Sequence, residues 1–222
     1  MATSNRKRRR KQSDDPMWDI HENNIDRLNR HIWLAGETNA IEPGDEPGVE
    51  YQMSTRLIKN LHILSSENNK PILIHMKTCG GYVEEGLAIY DAVKCCPCHV
   101  RILSYTHARS MSSYILQAAN HRVLMPHSYF LFHRGTFAIV DRLLPVQTAV
   151  EWGKKVDDSL MQIYVDKMKE EGKFKKWGKQ RIINMMVGRM NSETDVYLTP
   201  EEAVSWGLAD EVFDGDWDSI LP

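Results

Sequence analysis

No stretch of this chain approaches the roughly 20 consecutive apolar residues that a membrane-spanning helix needs. Its best apolar runs, Tyr114–Ala119 and Tyr129–Phe132, are the size of core elements. A membrane partner is therefore not expected. The charged N-terminus has no apolar segment behind it, which argues against a secretory signal. Cysteine is scarce: Cys79 stands alone, and Cys95, Cys96 and Cys98 crowd together without the C-x-x-C…C-x-x-C spacing of a zinc site. Neighbouring cysteines also make poor disulfide partners. Free thiols, no bound metal and a cytoplasmic location are the expectation. A G-x-x-x-x-G-K-[ST] phosphate loop is missing, so the chain does not supply ATP hydrolysis by that device. Internal repeats and low-complexity core segments are missing as well.

What is present is the composition of a globular protein. Of 222 residues, 42% are hydrophobic and 26% charged, enough to bury a sizeable core and too much to leave the whole chain disordered. The net charge of −2 hides an asymmetry. Arg6, Lys7, Arg8, Arg9, Arg10 and Lys11 form an unbroken basic run, which leaves 22 basic against 30 acidic residues elsewhere. An acidic body does not track nucleic acid with its folded surface; any such contact is expected only through the basic tail. The tail also reads as a plain solvated arm. The expected organisation is a basic disordered tail over 1–17, a single domain over 18–215 and a C-terminal tail over 216–222.

Periodicity assigns the elements. Val49, Met53, Leu57, Leu61 and Leu64 recur at helical spacing, predicting a helix over roughly 49–66. Pro71–Met76 and Val100–Leu103 read as buried strands. Between them Val83, Leu87, Tyr90 and Val93 mark a helix with Glu84 and Glu85 in its first turn. Ser110–Ala119 is apolar on nearly every side, the pattern of a buried helix. Arg122–Met125 and Tyr129–Phe132 read as further strands. A long helix is expected after Pro145, with Val146, Val150, Val156, Leu160, Ile163 and Met168 facing inward. Residues 169–181 read as an exposed excursion, and a short helix is expected from Pro200, capped by Thr199. Strands alternating with crossover helices give an α/β fold with a largely parallel sheet.

Two of these helices open directly after strand-like segments. Gly80-Gly81 allows a backbone N–H to approach a ligand closely, although such turns are common in structural roles too. Ser110 stands at a helix N-terminus, where unpaired N–H groups can hold an oxyanion, and where serine is equally at home as a cap. A serine nucleophile needs a base, and the base an orienting acid. Among the nine histidines, His133 is set apart by ending an apolar strand; His107 and His75 are competitors.

Residues from about 32 to 213 resemble the ClpP serine peptidases. Lys77-Thr78-Cys79-Gly80-Gly81-Tyr82-Val83 with Gly86-Leu87-Ala88-Ile89-Tyr90-Asp91 is similar to the family's N-S-P-G-G-x-V…G-x-x-I-Y-D segment. Ala108-Arg109-Ser110-Met111-Ser112 resembles its A-A-S-M-G turn, and Leu124–Ser128 with Phe132-His133 its L-P-N-S-R-x-M-x-H strand. Asp195–Ala203 with Gly207–Asp210 resembles D-R-F-L-S-A-x-E-A…G-L-V-D.

The resemblance implies a ClpP/crotonase-like core of repeated strand–helix units with a helical handle at about 136–190. It implies Ser110 as nucleophile, His133 as general base and acid, Asp195 as the orienting carboxylate, and the N–H groups of Gly81 and Met111 as oxyanion hole. Asp210 is the rival acid; Asp195 is preferred because the residues after it fix the register. No cofactor is implied. The expected activity is a serine endopeptidase acting on unfolded polypeptides inside a homo-oligomeric chamber of stacked rings, served by an AAA+ unfoldase ATPase.

The chain departs from the pattern at Cys79, at Ser112 and at Arg134-Gly135 after the histidine, and its His133–Asp195 interval is long. A catalytically incompetent ring subunit therefore stands as an alternative. So does a crotonase-like acyl-CoA enzyme, which would draw its glutamate acid/base pair from Glu84 and Glu85.

Overall fold

Buried strands need apolar side chains on both faces, and the run Ile72–Met76 supplies them: all five residues are buried. In the computed structural model, which describes residues 16–36, 46–136 and 138–221, this run lies at the centre of a six-stranded sheet. The basic run at 6–11 lies outside the described residues.

The chain opens with helix α1 (Pro16–Asn23), so Pro16 and Met17, expected in the tail, are helical. Strands β1 (Ile25–Asp26) and β2 (His31–Ala35) follow, then helix α2 (Tyr51–Glu67), β3 (Ile72–Lys77), α3 (Val83–Lys94) and β4 (Val100–Ser104). The two-residue strand β5 (Ala108–Arg109) leads into α4 (Met111–Ala118), followed by β6 (His121–Leu124) and β7 (Phe130–His133). Two helices come next, α5 (Leu143–Glu170) and α6 (Lys179–Glu193). The chain closes with β8 (Asp195–Leu198), α7 (Pro200–Trp206), β9 (Glu211–Val212) and α8 (Trp217–Ile220).

The main sheet has the order β1-β2-β3-β4-β6-β9 and is parallel throughout except for the β1–β2 pair. A second sheet, β5-β7-β8, is mixed: β5 runs parallel and β8 antiparallel to β7. The fold is thus α/β with a largely parallel sheet, as the alternation of elements predicts. The principal core packs α2, α3, α4, α6 and the second half of α5 against the sheets. Thr199 caps α7 with a reciprocal bond pair to Glu202, and Gly207 ends it in the left-handed region.

Three expectations are corrected. Helix α5 begins at Leu143, two residues before Pro145, because a proline in the first helical turn forfeits no intrahelical bond. Only its second half is embedded: Leu160, Tyr164, Val165 and Met168 are buried, whereas Val150 is exposed and Val146, Val156 and Ile163 are half-buried. At 1.5 Å per residue, 28 residues give about 42 Å of helix, more than the core can cover. Residues 169–181 are mostly exposed, as expected, but the segment is anchored to the core. Phe174 is buried edge-on against Trp177 and Trp206, and the Lys173 N–H donates to Ser205 O at 2.8 Å. Helix α6 starts inside that stretch and buries Ile182, Met186 and Met190. Finally, 216–221 is docked on the domain: Ile220 of α8 is buried with Leu73, Leu103, Val123 and Phe213, and Arg101 Nη1 donates to Leu221 O at 2.6 Å.

Candidate active site

The small second sheet sets the positions of the candidate catalytic side chains. Its central strand β7 ends in His133. On one side, β5 pairs in parallel with Ala108 opposite Phe130 and Arg109 opposite Leu131, so Ser110 emerges one step later beside the end of β7. On the other side, antiparallel β8 places Asp195 directly opposite His133. Serine, histidine and aspartate thus leave three adjacent strands at one edge. His133 Nδ1 lies 3.5 Å from Asp195 Oδ1, longer than a strong hydrogen bond, with both side chains partly exposed.

Ser110 adopts φ 49°, ψ −133°, a conformation that side-chain-bearing residues rarely take. The elbow is held by the next two serines. Ser112 accepts the Arg109 N–H at 2.9 Å and donates its hydroxyl to Arg109 O at 2.7 Å. The Ser113 hydroxyl donates to Ser110 O at 2.5 Å. Ser112, where the resembled pattern has glycine, is therefore a local brace.

Gly80 and Gly81, at φ +90° and +155°, bring the turn after β3 against this elbow. A Cβ on Gly80 would stand 2.7 Å from Met111 N and 2.8 Å from Ser110 Cβ. One on Gly81 would stand 2.3 Å from Val49 O, because Val49 and Gly81 form a bridge in which Val49 N donates to Gly80 O at 2.6 Å. Only glycine fits at either place. Met111 is the first residue of α4, so its N–H has no acceptor within the helix.

Gly81, Ser110, Met111 and His133 line one cleft of about 470 Å³. One wall is apolar, built from Tyr114 and from Leu160, Met161, Ile183, Val187 and Met190 of α5 and α6, while Lys154, Asp157 and Asp158 of α5 add charge. Arg134, Gly135 and Thr136 line it too, so the residues after the histidine face the same space. Sequence reasoning did not single out the α6 side chains, nor Ser113 and Tyr164 behind the elbow. For α6 the 183–187–190 spacing was the available signal.

The competitors lie elsewhere. Asp210 is bound to the buried Arg122, which donates its backbone N–H at 2.7 Å and Nε at 3.1 Å to Oδ2 and meets Oδ1 through Nη2. Burial alone would raise the Asp210 carboxyl, but the guanidinium overrides it and holds the pKa below the usual range. His75 is buried in the main sheet, its Nδ1 2.9 Å from Tyr105 Oη and its Nε2 3.1 Å from His31 Nδ1. Burial, then the nearby His31, push its pKa down to about 4. His107 is buried with Nε2 3.0 Å from Glu46 Oε2. Of the acyl-CoA candidates, Glu85 takes a hydrogen bond from Ser54 and Glu84 is exposed; neither lines the cleft. The four cysteines are free. Among the described residues no group of three or more His, Cys, Asp or Glu is arranged to hold a metal, and no helix is long and apolar enough to cross a membrane.

Comparison with known proteins bears on the family and the fold. An "ATP-dependent Clp protease proteolytic subunit" from Deinococcus radiodurans is 28% identical over 169 residues, covering 75% of this chain and 76% of that protein. An "ATP-dependent Clp protease proteolytic subunit 2" from Chlamydia trachomatis is 27% identical over 161 residues, covering 72% and 73%. A solved ClpP1 mutant from Listeria monocytogenes has the same fold, with a TM-score of 0.66 at 18% identity over 86% of this chain and 94% of that one. The sequence profile described as Clp protease matches residues 45–216. With a match of that extent over this fold, the chain belongs to the Clp protease family.

Proposed function

We propose that this protein is a serine endopeptidase whose nucleophile is Ser110, with His133 as general base and acid and Asp195 as the carboxylate that orients the imidazole. The observation that carries the reading is the second sheet, which brings Ser110 and His133 to one cleft and sets Asp195 opposite His133 on the neighbouring strand. Because Nδ1 of His133 faces Asp195, Nε2 is the nitrogen left for the serine. Ser110 Oγ attacks the scissile carbonyl as its proton passes to Nε2. The tetrahedral oxyanion sits on the N–H groups of Gly81 and Met111, each such donor being worth about 3 kcal/mol. The proton then goes to the leaving amine, and water, deprotonated by His133, releases the acyl-enzyme. The apolar wall of the cleft receives a substrate side chain.

The substrates in this reading are unfolded polypeptides, cleaved within a homo-oligomeric chamber formed by a single domain. The exposed first half of α5, with Leu143, Leu144 and Trp152 open to solvent, suits a handle buried between subunits. The relatives are named ATP-dependent, and this chain lacks a phosphate loop, so an unfoldase ATPase would be a separate partner. A cytoplasmic location goes with that partnership.

The test is labelling with a fluorophosphonate probe, comparing the protein with its Ser110→Ala variant and sizing the labelled species. Labelling that disappears in the variant and travels with a large oligomer is expected. A well-folded oligomer that does not label would favour an incompetent ring subunit instead.

A further inference from the structure

We propose that Tyr164, on α5, is a positioning residue for the oxyanion donor Met111, acting through Ser113 and the carbonyl of Ser110. The proposal rests on the reading of Ser110 as nucleophile. Tyr164 is 1% exposed, its ring stacked on Tyr114 with centroids 4.2 Å apart and set edge-on to Phe130. Its hydroxyl lies 2.6 Å from Ser113 Oγ, and that oxygen lies 2.5 Å from Ser110 O.

Proton counting fixes the direction of this chain. The Ser110 carbonyl only accepts, so the single Ser113 proton goes to it, and Ser113 Oγ must accept from Tyr164. Tyr164 keeps its proton to supply that bond, because burial, and then the neighbouring Tyr114, push its pKa well above the ordinary value.

The carbonyl being held has an unusual consequence. Ser110 C=O and Met111 N–H belong to one planar trans peptide, so fixing the oxygen on the protein side aims the N–H in the opposite direction. Met111 lines the cleft, and its N–H is one of the two candidate oxyanion donors. The plane needs holding, because ψ −133° at a residue with φ 49° lies outside the ordinary wells. Ser113 N–H also reaches Ser110 O at 3.1 Å, and the hydroxyl chain adds a second, shorter restraint.

The experiment compares the full-length protein with Tyr164→Phe, Ser113→Ala and the double variant. Readouts are fluorophosphonate labelling rate, kcat and KM on a short fluorogenic peptide, melting temperature, and assembly by sizing. Each single variant should lower kcat and labelling rate about five- to thirty-fold, the effect of one well-placed hydrogen bond, with KM unchanged. The double variant should fall no further than Ser113→Ala, because both remove one chain.

Unchanged kcat in a folded Tyr164→Phe protein, or independent multiplying losses in the double variant, would overturn the proposal. If Tyr164→Phe fails to assemble, Ser113→Ala decides alone: a kcat loss at constant KM supports it, and unchanged kcat overturns it. Failure of the unaltered protein to label would overturn the nucleophile reading and this inference together, whereas labelling at equal rates in all forms overturns only the inference.

Discussion

Two aspartates compete for the role of orienting acid, and exchanging each for asparagine should separate them by opposite signatures. Asp195→Asn removes a charge 3.5 Å from the His133 ring that becomes imidazolium as Ser110 attacks. Coulomb attraction at that distance is about 1 kcal/mol in a water-like dielectric and about 5 kcal/mol at an effective value near 20. With Asp195 nearly half exposed, at 46%, the outcome should lie between, a fall in kcat of about a hundredfold. Stability should hardly change, since an exposed carboxylate with one loose partner contributes little. Asp210→Asn should do the reverse. It takes the nearer of two carboxylate partners from Arg122, which is 3% exposed. Stranding a buried guanidinium costs about 3 to 5 kcal/mol. The lower figure applies here, because Gly207 O at 2.7 Å, Gln117 at 2.9 Å and Glu171 at 3.3 Å still accept from it. In a chain of this size about 3 kcal/mol lowers Tm by about 6–12 °C. Thermal melts and fluorophosphonate labelling rates on both variants read the two effects. An Asp210→Asn protein that melts normally and fails to label, beside an Asp195→Asn protein that labels at the full rate, would refute the assignment.

Gly81→Ala should lower kcat a hundredfold or more while the protein still assembles, because the new methyl must push the turn off Val49 and with it the Gly81 donor; an unchanged rate would remove Gly81 from the oxyanion hole. Acid should destabilise the fold through His75. Its folded pKa of about 4 lies below the unfolded value of 6.5, so the unfolded chain binds the extra proton first and stability falls as pH drops from about 6.5 towards 4. The span is worth on the order of 3 kcal/mol. His75→Phe should flatten the dependence of Tm on pH in that window, and an equally steep curve in the variant would show that other groups are responsible.

Much of the main sheet was legible because its signals are local. Ile72–Met76 and Val100–Ser104 are short apolar runs between polar turns, and Thr199-Pro200-Glu201-Glu202 writes a helix start in four residues. Of the second sheet only the central strand β7 was legible from periodicity. Strand β5 has two residues, too few for any period, and β8 shows its alternation only over four. The face-to-face placement of His133 and Asp195 arises from pairing across more than sixty intervening residues, so local pattern could set His133 apart at a strand end but could not show its partner. The exposure of 169–181 was legible in its lysines and glycines, but its anchor was not: Gly172 packs where a Cβ would stand 2.5 Å from Gly207 N, and Phe174 meets Trp206 of another helix. Apolar spacing in α5 predicted an inner face for the whole helix, whereas the core extends only under its second half.

The conformation of Ser110 places that position under two opposed demands. At φ 49°, ψ −133° a serine carries strain of about 1–3 kcal/mol that glycine would largely escape, less the entropy that a glycine loses on folding. Thermodynamic selection alone would therefore favour losing the hydroxyl. The position can keep its serine over generations only if the hydroxyl is used, and a descendant relieved of cleavage would be free to trade it for a more durable fold. The residue that would make this chain an enzyme is thus also one that its own backbone disfavours.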